Sequence, residues 1–406
     1  MSQTCIIVGM GHAAGQLAPS LRQNGWEGKI IMIGEEDMLP YHRPPLSKDY
    51  LLGKREREKL LIRPQASYEK LNVECRTNTR VTNINREAHT IEPDNGEKLS
   101  YQKLILATGS RVRKLNLPGS DLKNIFYVRN IADVMQIKAA VQDGGKAVII
   151  GGGYIGLEAA AVLKQLGMEV TLLEAMDRIL SRVTSPEMSA FFTRAHQEEG
   201  VKVLTNELVT EFKGETRIEE VICEDGTSYP ADMVIVGIGI LPNVELASEA
   251  RLAVNDGILV NEHAQTEDPD IFAVGDCTSH FNEHYQIQCR LESVPNAMDQ
   301  AKAAAATICG NPTAYKDLPW FWSDQFDIKL QIAGLTHGYD QIVIRGDMNE
   351  GRSFVIWYLK NGELIAADCV NRPREFMMAR KIIHQRVHIN EELLADETAN
   401  LLKINN

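Results

Sequence analysis

Short apolar runs that end in glycine turns dominate the first third of the chain. Residues 5–8 are apolar throughout, as in a parallel strand that is buried on both faces. A glycine turn follows, and polar and apolar residues then recur with helical spacing as far as Gly25. A second apolar run covers residues 29–33. The pattern predicts a strand, a helix and a second, parallel strand.

The turn after the first strand matches the pattern G-x-G-x-x-(G/A). Gly9 permits the tight turn, Gly11 lets a pyrophosphate approach the backbone, and Ala14 lets helix and strand pack closely. The helix N-terminus offers N–H groups and a positive dipole to the phosphates. Glu35, which lies 26 residues after Gly9, follows the second strand and can accept the hydroxyls of a ribose. The unit therefore predicts a dinucleotide site.

The same unit occurs again, with Gly151 placed 142 residues after Gly9. An apolar run at 147–150 leads into Gly151-Gly152-Gly153-Tyr154-Ile155-Gly156, and a run at 169–173 ends at Glu174. A single glycine fingerprint is weak evidence, but two complete units predict two dinucleotides in one chain. A carboxylate at Glu174 favours the free 2′-hydroxyl of NADH and repels the 2′-phosphate of NADPH.

Three further turns follow predicted strands. The run 271–274 ends at Gly275-Asp276. Open α/β sheets bind ligands at that end of their strands, so Asp276 can accept from the hydroxyls of a ribityl chain. The other two turns, which we interpret as crossings between domains, are Ala107-Thr108-Gly109 and Gly237-Ile238-Gly239.

Composition and charge exclude several classes of protein. The chain has 43 Lys and Arg against 55 Asp and Glu, a net charge of −12, which argues against a nucleic-acid partner. The seven cysteines are scattered without a CxxC pair, so we expect no disulfide framework and no metal site, and a reducing cytoplasm fits best. Glycines and polar residues interrupt the uncharged stretch 1–21, so we expect neither a signal peptide nor a membrane span.

Four longer segments carry a resemblance to a known family: Arg43-Pro44-Pro45-Leu46-Ser47-Lys48, Gly151 to Glu158, Glu292 to Ala297, and Trp320 to Gln325. Together with the two fingerprints and the turns Ala107-Thr108-Gly109 and Gly275-Asp276, they make the chain similar to the FAD-dependent pyridine-nucleotide oxidoreductases. Within that group it resembles the NADH-dependent ferredoxin reductases of cytochrome P450 systems, over nearly its whole length. The resemblance implies an α/β fold with two Rossmann-like dinucleotide-binding domains, of the glutathione-reductase type, and a small α+β carboxyl-terminal domain.

The expected domain boundaries follow from this fold. We expect an FAD domain at 1–109 and 243–315, an NAD domain at 110–242 and a carboxyl-terminal domain at 316–406. In the last domain the sequence predicts helices from Arg374 onward and strands at 328–333, 341–345, 353–359 and 364–370. The pattern in 353–359 suggests an antiparallel sheet with one face in water.

The resemblance also assigns residues to the cofactors. It implies FAD contacts at Ala13, Glu35, Lys48, Val81, Arg129, Asp276 and Val294. The glycine turns and the resembling segments add further candidate cofactor contacts: Gly9, Gly11, Ala14, Arg43, Ala107, Thr108, Gly109, Trp322, Gly151, Gly153, Tyr154, Ile155, Gly156, Glu158, Glu174 and Gly239. By the resemblance Lys48 would lie near the flavin ring, where a cation favours the anionic reduced flavin, and Glu158 would pair with it beside the nicotinamide. Lys48 and Glu158 are thus the predicted catalytic residues.

The role of the two tryptophans in the segment Trp320 to Gln325 is open. Trp320 and Trp322 either stack beside the flavin, belong to the surface that meets a partner, or are plain core residues, since tryptophan is usually mostly buried.

The absence of a cysteine near residue 42 bears on the reaction. Disulfide reductases of this superfamily need paired cysteines beside the flavin, and coenzyme A disulfide reductases and NADH peroxidases need a single one near this position. This chain has Tyr41, His42 and Arg43 there, and no cysteine between Cys5 and Cys75. Electrons must then leave the flavin by another route, such as singly to an iron–sulfur protein.

Four hypotheses remain open. The first is an FAD-containing NADH:ferredoxin reductase that supplies a [2Fe–2S] ferredoxin and, through it, a cytochrome P450. The second is a rubredoxin reductase or the reductase of a dioxygenase. The third is a flavoprotein that resembles apoptosis-inducing factor and acts by interaction, and the fourth is a peroxide- or disulfide-reducing flavoenzyme.

A positive patch on an acidic protein would suit a ferredoxin partner, because small ferredoxins are usually acidic. Residues 371–386 contain five Arg and Lys against Glu375, a local charge of +4. Arg374 of this segment is one candidate docking residue, and the resemblance suggests Arg63, Lys302 and Lys329 as further candidates. Solvated helix faces are the plain alternative.

Overall fold

The structure is a computed structural model that describes residues 3–386 and 389–401. Contacts between residues divide the chain into two compact units. The first consists of Met1–Arg43, Arg57–Arg111 and Leu241–Pro319. The second consists of Pro44–Glu56, Val112–Ile240 and Trp320–Asn406. The division into three domains with the boundaries given above stays a prediction.

The described residues form strands, α-helices and two 3₁₀ helices, the latter at Pro44–Ser47 and Arg57–Leu60. The strands are β1 (Thr4–Val8), β2 (Lys29–Ile33), β3 (Val73–Arg76), β4 (Val81–Asn85), β5 (Thr90–Pro93), β6 (Leu99–Ser100), β7 (Lys103–Leu106), β8 (Ser110–Val112), β9 (Ile125–Tyr127), β10 (Lys146–Ile150), β11 (Glu169–Glu174), β12 (Lys202–Thr205), β13 (Val209–Lys213), β14 (Glu220–Cys223), β15 (Ser228–Pro230), β16 (Met233–Val236), β17 (Ile240–Pro242), β18 (Ile258–Val260), β19 (Ile271–Ala273), β20 (Thr278–Asn282), β21 (Ile287–Cys289), β22 (Trp320–Gln325), β23 (Ile328–Gly334), β24 (Gln341–Asp347), β25 (Ser353–Lys360) and β26 (Glu363–Val370). The α-helices are α1 (His12–Gln23), α2 (Gln65–Lys70), α3 (Ile131–Ala140), α4 (Tyr154–Gln165), α5 (Pro186–Glu198), α6 (Glu245–Glu249), α7 (Val294–Ile308), α8 (Pro373–Gln385) and α9 (Glu391–Ala395).

The first unit is built on a parallel sheet with the strand order β19-β7-β1-β2-β3. Side chains alternate along each strand, so β1 supplies Ile7 to one face and Ile6 to the other. Ile7 belongs to a core with residues of α1 and α7, and Ile6 to a second core with residues of β4, β5 and β18. Both faces of the sheet are covered, which explains the continuous apolar runs.

The second unit contains a parallel sheet of the same kind, with the order β12-β11-β10-β16-β9. The antiparallel strands β13, β14 and β15 contribute to a core on one face, together with Val148 and Ile150 of β10. The duplicated strand–helix–strand unit predicted from the sequence is confirmed, and with it the α/β fold class.

The second unit also holds an antiparallel sheet with the order β22-β23-β26-β25-β24. All four predicted strands are present, but the expectation of one wet face is wrong for β25. Its six residues from Phe354 to Leu359 are all buried. The physical reason is that α5 places Phe191 against Phe354, with ring centroids 4.7 Å apart, and α8 packs against the neighbouring strands β23 and β26.

Two further observations concern the cysteines and the helices. The seven cysteines are all free thiols. Across residues 3–386 and 389–401, no helix has both the length and the apolar character needed to cross a bilayer.

Candidate functional site

The first glycine turn has the geometry that its sequence predicts. Gly9 has a φ of +113°, and a Cβ there would lie 2.1 Å from the carbonyl oxygen of Ala107. The turn after β1 is thus pressed against the turn after β7, which contains Thr108 and Gly109. Gly11, the N-cap of α1, has no atom within 4 Å of the position of a Cβ. Ala14 is fully buried, as close packing of helix and sheet requires.

The second glycine turn repeats this arrangement. Gly151 has a φ of +103°, and its Cβ would meet the carbonyl oxygen of Gly237 at 2.5 Å. A Cβ on Gly156 would lie 2.1 Å from the carbonyl oxygen of Gly151, so helix and strand touch through backbone. At Gly153, the N-cap of α4, the nearest atom to a Cβ is 3.9 Å away.

Both helices that follow these turns expose a positive N-terminus. Neither α1 nor α4 has a side-chain cap or an acidic residue in its first turn, as far as the described residues show. An α-helix has no intrahelical acceptors for its first N–H groups, and the space at Gly11 and Gly153 gives a phosphate access to this end of each helix. The backbone fits a dinucleotide pyrophosphate at each turn.

The carboxylates that follow the second strands differ in setting. Glu174 accepts hydrogen bonds from the backbone N–H groups of Gly152 at 2.7 Å and Met176 at 2.8 Å, so its orientation is fixed. Glu35 is exposed at the end of β2. Both carboxylates keep acceptor capacity for ribose hydroxyls.

Asp276 lies where the first unit brings several predicted residues together. Its carboxylate accepts a hydrogen bond from Ser110 Oγ at 2.9 Å and interacts electrostatically with Arg43. Arg43 is also paired with Glu36. A Cβ on the preceding Gly275 would be 3.5 Å from Cβ of Ala13, so this turn meets the start of α1.

The remaining predicted cofactor residues lie at or near the ends of strands and helices in each unit. In the first unit, Val81 is buried at the start of β4 and Val294 opens α7. In the second, Ile155 is 44% exposed in the first turn of α4, Gly239 lies exposed before β17, and Arg129 donates its backbone N–H to Asp133. Their roles stay predictions.

Lys48 and Glu158 form an ion pair inside the second unit. Lys48 Nζ lies 2.7 Å from Glu158 Oε2, and the Glu158 side chain is 1% exposed. The same oxygen accepts a hydrogen bond from Ser47 Oγ at 2.5 Å, and Oε1 accepts one from Ser323 Oγ at 2.6 Å. Three donors around a buried carboxylate keep it in one orientation. The pairing of Lys48 with Glu158, implied by the resemblance, is thus present.

Aromatic residues of β22 pack near α4, the helix that carries Glu158. Tyr154, one helical turn before Glu158 on α4, packs against Phe321 with ring centroids 5.1 Å apart. Burial first, and the nearby Asp368 and Glu158 next, raise the pKa of Tyr154 well above its ordinary value, so its hydroxyl stays neutral. Trp322 lies half-buried beside Trp320, with ring centroids 5.5 Å apart.

Sequence reasoning missed the hydroxyl groups that donate to the predicted carboxylates of each unit. Ser47 and Ser323 contact Glu158, and Ser110 contacts Asp276. Ser47 stands directly before Lys48, and Ser323 directly follows the aromatic residues Trp320-Phe321-Trp322 in the same strand. A polar residue in such a strand was the available signal, since it needs a buried partner.

The candidate docking residues differ in how free their charges are. Arg63 donates to the backbone oxygen of Gly15 at 2.6 Å, and Lys302 pairs with Asp299 at 2.7 Å. Lys329 on β23 and Arg374 on α8 are exposed. Within the basic segment 371–386, Arg372 pairs with Glu397, and Arg380 stacks over Trp320 with its guanidinium 5.3 Å from the ring centroid.

Comparison with known proteins assigns the chain to a family. The model of the family described as pyridine nucleotide-disulphide oxidoreductase matches residues 3–301, and the one described as reductase C-terminal matches residues 320–405. The chain belongs to the pyridine nucleotide-disulphide oxidoreductase family. The superfamily expected from the sequence is confirmed.

Particular relatives extend this similarity over nearly the whole chain. Putidaredoxin reductase CamA of Pseudomonas putida is 43% identical, over 98% of this chain and 96% of its own length. The 5,5'-dehydrodivanillate O-demethylase ferredoxin reductase subunit of Sphingobium sp. is 42% identical, over 97% of this chain and 96% of its own. The crystal structure of the covalent putidaredoxin reductase–putidaredoxin complex matches with a TM-score of 0.96 at 43% identity, and covers 99% of this chain and 98% of that one.

Proposed function

We propose that the protein is an NADH-dependent ferredoxin reductase that contains FAD and delivers electrons to a [2Fe–2S] ferredoxin. One observation carries the proposal. The chain has two separate glycine turns whose backbone would fit a pyrophosphate, while the segment in which disulfide-reducing members of the superfamily need a cysteine holds Tyr41, His42 and Arg43. The names of the two relatives, a putidaredoxin reductase and a ferredoxin reductase subunit, support it.

FAD is assigned to the turn at Gly9 and NADH to the turn at Gly151. The first unit offers Asp276, held by Ser110, as an acceptor for the ribityl hydroxyls, and Glu35 as an acceptor for the adenosine ribose. In the second unit, Glu174 is fixed to accept the ribose hydroxyls of NADH. Bound FAD would supply the redox chemistry, because it accepts a hydride from NADH and can release electrons singly.

We assign Lys48 and Glu158 an electrostatic role in the reduction of the flavin. We assign to Lys48 the task of holding a positive charge beside the reduced cofactor, and to Glu158 the task of fixing the Lys48 ammonium at 2.7 Å. No general acid or base is required for hydride transfer itself, so a pair that only places charge is sufficient.

A cysteine route for the electrons is disfavoured by the state of Cys277, which follows Asp276 directly. Its thiol is fully buried and lies 3.4 Å from the carbonyl oxygen of Val274 and 3.6 Å from that of Leu106. Burial is the main cause that raises its pKa, so the thiol stays protonated and unreactive. This favours a one-electron acceptor over a disulfide or a peroxide.

The specificity for NADH should depend on Glu174. Replacing Glu174 by Gln keeps an acceptor for Gly152 N–H but removes the negative charge that repels a 2′-phosphate. We expect the ratio of kcat/KM for NADH to that for NADPH to fall by about tenfold or more. The measurement is steady-state ferricyanide reduction with each nucleotide. Glu35→Gln, the same change in the first unit, should leave this ratio unaltered, and an unchanged ratio for Glu174→Gln would remove the specificity claim.

Charge on α8 should affect the protein partner alone. For Arg374→Glu we expect KM for an acidic [2Fe–2S] ferredoxin to rise by about fivefold at low salt, and less at high salt, because exposed charges are screened. NADH-to-ferricyanide activity should not change. Lys213→Glu, an equal charge change on β13 of the same unit, is the control. If both variants respond equally, net charge rather than a docking patch governs the association.

The proposal also covers the cellular compartment and the protein that receives electrons from the ferredoxin. We place the protein in the cytoplasm, where its seven free thiols would remain reduced, and propose that its ferredoxin serves a cytochrome P450. A rubredoxin or the ferredoxin of a dioxygenase is the alternative acceptor. Stopped-flow reduction of a panel of [2Fe–2S] ferredoxins and rubredoxins by the NADH-reduced protein tests this, and faster turnover with rubredoxin would favour the alternative.

A further inference from the structure

One face of β22 carries two polar side chains into the interior of the second unit. Side chains alternate along a strand, so Phe321, Ser323 and Gln325 share a face, opposite to Trp320 and Trp322. Ser323 and Gln325 are each 1% exposed. Burying such groups is costly unless they are hydrogen-bonded, so their partners explain their presence.

Their partners form one continuous chain that ends at Glu158. Ser323 Oγ lies 2.6 Å from Glu158 Oε1, and Gln325 Nε2 lies 3.1 Å from Ser323 Oγ. Gln325 Oε1 lies 2.8 Å from Nε2 of His196 on α5, which is 0% exposed. We call His196, Gln325 and Ser323 the buried chain. It connects α5 through β22 to the carboxylate that holds Lys48.

The hydrogen bonds of the buried chain point in one direction. A carboxylate is a stronger acceptor than an amide oxygen, so the single hydroxyl proton of Ser323 is donated to Glu158. Ser323 Oγ must then accept from the amide NH₂ of Gln325. This orientation turns the amide oxygen of Gln325 towards His196, whose Nε2 must carry the proton. Each donor therefore faces towards Glu158.

The state of His196 agrees with this direction. Burial lowers the pKa of His196 to about 4, although its hydrogen bond to Gln325 acts in the opposite sense, so the ring is neutral at pH 7. Its Nδ1 has no hydrogen-bond partner among the described residues. A neutral ring with the proton on Nε2 leaves only a lone pair at Nδ1, whereas the other tautomer would bury an unpaired N–H and lose the bond to Gln325.

We propose that His196, Gln325 and Ser323 are positioning residues, which hold the Glu158 carboxylate in the orientation that places Lys48 for reduction of the flavin by NADH. This inference rests on the proposed function. Among the described residues, Ser323 is the one donor to Glu158 Oε1, while Lys48 and Ser47 both engage Oε2. Without the Ser323 hydroxyl, Oε1 would be buried and unpaired. The carboxylate would then turn to share the remaining donors, and Lys48 would move with it.

The test is stopped-flow reduction of the flavin of the holoprotein by NADH, which separates the rate constant at saturation from the Kd for NADH. For Ser323→Ala and for Gln325→Met, which keeps the volume but cannot donate, we expect the rate constant to fall by about tenfold or more, with Kd within about twofold of wild type. Ser323→Thr retains the hydroxyl and should restore most of the rate.

Thr184→Val is the matched control, because it also removes a buried hydrogen bond to a carboxylate in the same unit. Thr184 Oγ1 donates to Asp368 Oδ2 at 2.6 Å and does not belong to the buried chain. Its loss should lower stability without changing the rate of flavin reduction. If Ser323→Ala and Gln325→Met match Thr184→Val in rate, or if they alter only Kd, the positioning role is wrong.

The proposed function and the positioning role would be contradicted by different results. If wild-type flavin is not reduced by NADH, or if no ferredoxin accepts its electrons, the proposed function is wrong. If wild-type protein performs both steps while the variants of the buried chain reduce flavin at the wild-type rate, only the positioning role is wrong.

Discussion

Replacing Glu158 by leucine is expected to lower the free energy of unfolding by about 3–5 kcal/mol, because it leaves the charge of Lys48 without its buried partner. Lys48 has a side chain that is 16% exposed, so water can compensate the lost ion pair only in part. Ser47 and Ser323 lose their acceptor at the same time. Urea denaturation of wild-type and variant protein, each saturated with FAD, measures the difference.

A double variant separates charge from packing. In Lys48→Met/Glu158→Leu no charge is left unpaired, and we expect it to be more stable than Glu158→Leu alone, with a coupling energy of about 2 kcal/mol. A Glu158→Leu protein as stable as wild type would show that the pair contributes little. A double variant no more stable than the single one would assign the loss to the serine hydroxyls and packing instead.

Replacing Gly9 by alanine is expected to destabilise the first unit by about 3 kcal/mol or more. The new Cβ would stand 2.1 Å from the Ala107 carbonyl oxygen, at a φ of +113° that side chains rarely adopt. Because the obstacle is backbone, relief requires β1 and β7 to move apart. Chemical denaturation of the apoprotein measures the stability, and fluorescence titration measures the affinity for FAD.

Gly11→Ala, two residues away, is the control that separates folding from binding. No atom lies within 4 Å of its Cβ position, so the apoprotein should keep its stability within about 1 kcal/mol. The methyl group would occupy the approach path of the pyrophosphate, and FAD affinity should fall by about tenfold. Wild-type affinity for FAD in Gly11→Ala would mean that this turn does not hold a phosphate.

The sequence predicted the geometry of the two glycine turns well, because a short run of residues identifies each of them. A backbone φ near +100° and a close approach between chain segments demand glycine, and the position of Gly9 or Gly151 after an apolar run identifies the strand end. The parallel sheets followed from the same runs. The pairing of Lys48 with Glu158 came from the resemblance instead, since nothing in their spacing indicates contact.

The contact between Ser323 and Glu158 and the burial of β25 could not be predicted from the sequence, because both depend on which distant segments meet in the fold. Ser323 and Glu158 are 165 residues apart, and a serine in a strand does not reveal its partner. The pattern in residues 353–359 suggested a wet face, because the sequence does not show that Phe191 of α5 and helix α8 cover this sheet. Burial of β25 is a property of its neighbours as much as of its own residues.

The buried free cysteines allow local unfolding of each unit to be followed by chemical labelling. Cys5 and Cys277 are buried in the first unit, and Cys223 and Cys369 in the second. Burial raises the pKa of Cys5, Cys277 and Cys369, so the thiolate that alkylating reagents attack does not form in the closed protein. Their labelling kinetics, resolved by peptide mass spectrometry, therefore follow local unfolding of each unit separately. Ligands that stabilise one unit can be recognised by the cysteines they protect.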